Sequence, residues 1–182
     1  MNIPDNLDEF TEAVVGMSQQ AKAALCQHLG GPADSPPILL WQGENDLEIT
    51  ALPMPSDDDP QLMAPNVLAI ALKEGFIQFG KPQFVAFISE AFMKLAVNPK
   101  EAEDFRRGDL QRKYQEELDP TIMEIISIYT FSPSETRHKI VTVKYNDDGM
   151  PEFGRHHLEE DKVVGGAIAH VVDEFRVLIN AG

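Results

Sequence analysis

The 182-residue chain holds a single cysteine, Cys26. No disulfide framework can form within it, and a lone thiol inside a predicted helix behaves as a small apolar core residue. Positive charge is equally scarce at the N-terminal end. Residues 1–62 carry eleven acids (Asp5, Asp8, Glu9, Glu12, Asp34, Glu44, Asp46, Glu48, Asp57, Asp58, Asp59) against the one base Lys22, so ten of the chain's fifteen surplus negative charges lie in its first third. The glycine spacings that cradle phosphates, GxGxxG and GxxxxGK[ST], are missing, as are GxSxG, paired-cysteine zinc spacing and a basic-aromatic array for single strands. Those absences speak against the common nucleotide, cofactor, metal and nucleic-acid sites, and no cofactor or metal is expected. No uncharged apolar run approaches the roughly 20 residues of a spanning helix. The opening MNIPDNLDEF lacks the basic region and apolar core of a secretory signal, so a cytoplasmic protein is expected.

What is present is enough apolar content, 43%, for one good core at a common single-domain size. A single domain over 1–182 is expected. The formal charge of −15 repels phosphate backbones and anionic lipid, which disfavours direct nucleic-acid or membrane binding and favours a basic protein surface as partner.

The densest run of strand formers is Pro82 to Leu95, PQFVAFISEAFMKL, read as a central strand. Its expected neighbours are Thr121 to Phe131 and His138 to Tyr145, joined through SPSETR, with a turn at NDDG (146–149) and a short return strand near Pro151 to Phe153. Upstream, Pro36 to Trp41 and Asp46 to Leu52 read as two short strands, the second with Asp46, Glu48 and Thr50 on a wet face. Trp41 is expected at the core edge. A first helix, capped at Asp5 or Asn6, runs to about Leu29 with the stripe Leu7, Phe10, Val14, Met17, Ala21, Leu25 and Leu29. A middle helix spans Leu62 to Phe79 with Gly75 as a weak point, and a last one starts near Glu159 and ends near Asn180. Together these give an α+β domain: an antiparallel sheet of about five strands, with N-terminal, middle and C-terminal helices packed mainly on one face. Residues 98–120, with five bases, seven acids and few large apolar side chains, read as a charged connection within the domain.

Three features invite a chemical reading. Glu90 and Glu124 each interrupt an apolar strand, and with His138 on the next strand they form a candidate acid/base or metal-assisted hydrolase set. The plainer reading is a wet sheet face, with Glu124 paired across strands to Lys144 or Arg137. The aspartates Asp57, Asp58 and Asp59 lack the spacing and closing glutamate of an EF-hand, and read as a solvated loop or helix cap. His156 and His157, adjacent on an extended segment, point to opposite sides and suit a surface role, while His170 with Glu174 makes a helix surface pair.

The segment FVAFISEAF, followed by a charged interval and a strand entered through DPTIMEIISIYTFSP, is similar to a pattern in uncharacterised small acidic proteins of bacteriophages and bacteria, over residues 82–146. That resemblance implies no activity. The order helix, strands, helix, strands, helix with an acidic balance also looks like dimeric secretion chaperones, although one helix after only two strands departs from their pattern. The leading expectation is a non-enzymatic acidic protein-binding module, an adaptor or an inhibitor mimicking nucleic-acid charge, with Asp46, Glu48 and Asp57 to Asp59 as partner-facing residues. The rivals are the small hydrolase and a structural or assembly subunit that forms a homodimer through a sheet edge or the last helix.

Overall fold

The computed structural model describes residues 4–44, 46–54, 63–94, 122–156 and 167–181. The expected charged connection at 98–120, Asp57 to Asp59, His157 and the start of the last helix near Glu159 lie outside the described residues. In chain order the elements are α1 (Leu7–Leu29), β1 (Ile38–Gln42), β2 (Leu47–Ala51), α2 (Ala64–Phe79), β3 (Phe84–Lys94), β4 (Ile122–Phe131), β5 (Thr136–Tyr145), β6 (Pro151–His156) and α3 (Ala167–Ala181).

The six described strands form one antiparallel sheet ordered β2-β1-β3-β4-β5-β6, an α+β fold with the three expected central strands side by side. The sixth strand is the short return after NDDG. There the Asn146 side chain accepts from the backbone N–H groups of Asp148 and Met150, and Gly149 supplies the positive φ of 73° that the turn demands.

Alternation along the strands splits the core in two. On one face Leu39, Trp41, Val85, Phe87, Tyr129 and Phe131 pack with α2 and α3. On the other, Leu40, Phe84, Ala86, Ile126, Ile128, Val141 and Val143 pack with α1. Two of the three described helices therefore share a face, and the N-terminal one covers the opposite side. The reason lies in β3, where aromatic and aliphatic residues occupy both parities, so neither face of the sheet centre can be left wet.

Trp41 is fully buried rather than at the core edge. Its ring packs on Phe79 and Phe175, and Gly75 lets α2 approach so closely that a Cβ there would lie 2.9 Å from two indole carbons. The glycine that looked like a weak point in α2 is thus the place where the helix meets the sheet. By contrast β2, at the sheet edge, is exposed from Glu48 to Ala51, so both its faces are wet. No described helix is long and apolar enough to cross a membrane.

Candidate functional site

Helix α1 is fixed at both ends by its own sequence. Asn6 is the N-cap, accepting from Glu9 N–H at 2.9 Å, and the Glu9 carboxylate returns to the Asn6 amide and the Asp5 N–H. Gly30, at φ 76°, closes the other end with its N–H on Cys26 O. The buried side of α1 differs from the expected stripe. After Phe10 and Val14 it runs through Val15, Ser18, Lys22 and Cys26, leaving Leu25 half-buried and Ala21 and Leu29 exposed. The polar groups win because the sheet beneath supplies partners for them. Thr11 meets Thr130 of β4 hydroxyl to hydroxyl at 2.6 Å, and further along Lys22 meets two carboxylates.

Those carboxylates are Glu90 of β3 and Glu124 of β4. In the β3–β4 register Glu90 stands opposite Ile126 and Glu124 opposite Phe92, a diagonal pair on the α1 face. Lys22 Nζ lies 2.8 Å from Glu90 Oε2 and 2.9 Å from Glu124 Oε1, and donates to Ala33 O at 2.6 Å. An ammonium has three N–H donors, and all three are engaged. Glu90 also accepts from the backbone N–H of Ser35 at 3.2 Å and from the Ser35 hydroxyl. Glu124 accepts from the Tyr145 hydroxyl at 2.8 Å. The Lys22 side chain is 1% exposed, while Glu90 and Glu124 keep 13% and 15% of their side-chain surface.

Burial alone would lower the basicity of Lys22. The hydrogen bonds to Glu90, Glu124 and Tyr145 outweigh it and hold the amine above its ordinary value, so it stays charged. Burial, reinforced by the bond to Glu124, pushes the Tyr145 phenol up to about 12 against the opposing pull of Lys22. A permanently protonated amine with no spare donor is a poor nucleophile or base, but it is an effective tie between a helix, two strands and the 33–35 loop. Asp34, Glu90 and Glu124 bring oxygens within 4.8 Å of one another, a trio able to hold a cation, and Lys22 already supplies positive charge to two of them.

The structure brings Glu90 and Glu124 together and places His138 elsewhere. His138 opposes Tyr129 on the α2–α3 side of the sheet, stacked on its ring at 3.9 Å and bonded to Ser127 Oγ through Nε2 at 2.9 Å. The Glu90–Glu124–His138 set does not converge on one pocket, because an odd spacing in register put the histidine on the far face. Glu124 faces Val143, with neither Lys144 nor Arg137 across from it; Arg137 instead reaches Asp8 at 2.9 Å and Glu135 at 2.7 Å. His170 and Glu174 form the expected surface pair at 3.1 Å. Asp46 and Glu48 lie exposed at and on the edge strand β2. Lys22 is the residue that sequence reasoning passed over. Its signal is its solitude as the one base among the eleven acids of residues 1–62, about one residue's arc from the stripe through Ala21 and Leu25.

Comparison of the chain with protein-family models, with curated proteins and with solved structures finds no match in any of the three.

Proposed function

We propose that this chain is a non-enzymatic binding module whose acidic N-terminal third engages a basic surface of a protein partner, as an adaptor or as an inhibitor presenting carboxylates where nucleic acid presents phosphates. The observation that carries this reading is the withdrawal of Lys22 into the interior. It is the only base of residues 1–62, so the exposed charges described there, on Asp5, Asp8, Glu9, Glu12, Asp34, Glu44, Asp46 and Glu48, are all negative. Engaging the ammonium fully with internal partners also removes the most reactive group of the cluster from catalysis. A reducing, cytoplasmic setting fits the lone buried thiol of Cys26.

The test is an affinity capture at low salt with identification by mass spectrometry, followed by dissociation constants for the captured partner. Affinity is expected to fall at least roughly tenfold between about 50 mM and about 500 mM salt, and again when Asp5, Glu9, Asp46 and Glu48 are changed to their amides. Binding that is indifferent to both would overturn electrostatic engagement.

A further inference from the structure

Among the described residues, the sheet ends in two unpaired edges of different character. At the β2 edge, Leu52 N–H donates to Pro37 O at 2.7 Å and Gly43 N–H donates to Asp46 O at 2.9 Å. Combined with the register from Ile38↔Ala51 to Gln42↔Leu47, these bonds fix the phase of the ladder. Glu48 and Thr50 turn their backbone groups toward β1, while Leu47, Ile49 and Ala51 turn theirs outward, where no described strand meets them. At the β6 edge the bond from Asn146 N–H to Met150 O sets the outward positions at Pro151, Phe153 and Arg155. Pro151 has no N–H to offer, a common way of blunting an edge.

No proline, glycine or lysine protects β2. Its outward N–H and C=O groups are flanked by Glu48 on the α2–α3 side of the sheet and by Ile49, 60% exposed, on the α1 side, with Glu44 and Asp46 in the approach to the strand. Charge here is of one sign only. A strand laid alongside would need main-chain groups for Leu47, Ile49 and Ala51, a basic side chain beside Glu48 and an apolar one beside Ile49.

We infer that the outer edge of β2 is a docking edge for an extended basic segment of a partner protein, which joins the sheet as a further strand. This rests on the reading of the acidic surface given above, and it adds the mode of recognition: main-chain pairing supplies the affinity, and alternating basic and apolar side chains supply the choice of partner.

The experiment uses the full chain and two synthetic peptides of identical charge, with Lys at alternate positions and Val between them. The second is N-methylated on alternate backbone nitrogens so that it cannot complete a ladder. The first peptide is expected to bind and the second to bind roughly tenfold or more weakly. Ile49→Pro, which removes an outward N–H and the exposed Ile49 side chain but no N–H that pairs with β1, and Glu48→Lys should weaken the first peptide to a similar degree with the circular dichroism unchanged. Equal binding of both peptides overturns the docking edge and leaves the acidic-surface reading standing. Binding of neither overturns both. If sedimentation finds a dimer that Ile49→Pro converts to monomer, the edge belongs to a second copy of the chain and the inference fails. Should Ile49→Pro not fold, the peptide pair decides alone.

Discussion

The ammonium of Lys22 on α1 lies 2.8 Å from the carboxylate of Glu90 on β3, across a separation of 68 residues in the chain. Glu124 of β4 closes the same contact from the neighbouring strand at 2.9 Å. A helix that otherwise docks by apolar side chains, the Thr11–Thr130 hydroxyl contact and the exposed Asp8–Arg137 pair is thereby fixed in rotation and height by one buried charge.

Removing that charge alone leaves two adjacent carboxylates without their counter-ion. Lys22→Met is expected to cost about 3–5 kcal/mol of unfolding free energy, toward the lower end because both glutamates keep some contact with water. Asp8→Asn breaks an ion pair of the same 2.9 Å length, between Arg137 and Asp8, whose side chains are 34% and 74% exposed, and should cost less than about 1 kcal/mol. Urea unfolding of the two variants at neutral pH checks this, and comparable losses would show that burial does not set the strength of the Lys22 tie.

Alkali should dismantle the same cluster. The folded state holds the Lys22 proton above the ordinary 10.5 and the Tyr145 proton up to about 12 against an ordinary 10.0, so both groups bind protons more tightly folded than unfolded. Their contribution is complete below about pH 10 and is lost as pH climbs through the folded values, by at most about 1.4 kcal/mol per pH unit for each proton. Buried Tyr129, also raised, adds in the same direction. Unfolding free energies between pH 9 and about pH 12 should fall steeply in the parent and less steeply in Tyr145→Phe. A parallel slope in the two proteins would remove Tyr145 from the account.

Gly75 is expected to resist the usual benefit of replacing a helical glycine. Alanine would gain roughly 0.5–1 kcal/mol in helix propensity, but its Cβ would fall 2.9 Å from Trp41 Cε3 and Cζ3. Overpacking of that kind costs about 1–3 kcal/mol. Gly75→Ala should therefore be less stable than the parent by thermal denaturation followed by circular dichroism, and a raised midpoint would mean that α2 can shift away from the indole at little cost.

Most of the fold could be read from the sequence because its signals are local. The aromatic and β-branched run at residues 84–92, the NDDG turn and the Asn6 cap each carry their own instructions. The side of the sheet chosen by α1 was not legible, since β3 is apolar on both faces and periodicity does not say which helix takes which. The candidate cluster was half legible. Glu90 and Glu124 stood out as carboxylates in apolar strands, whereas Lys22 was hidden by a competing stripe through Ala21, Leu25 and Leu29 that satisfies helical spacing equally well. Parity separated His138 from the glutamates: a histidine one position over in register would have joined them.

The chain has one tryptophan, and from β1 it is lodged among Gly75, Phe79 and Phe175, on the opposite side of the sheet from α1. Its emission will therefore report on the seating of the second and third helices and stay blind to the first. A melt watched by indole fluorescence can look like a single clean transition while α1 has already lifted away, and a label on exposed Leu29 would be needed to see it go.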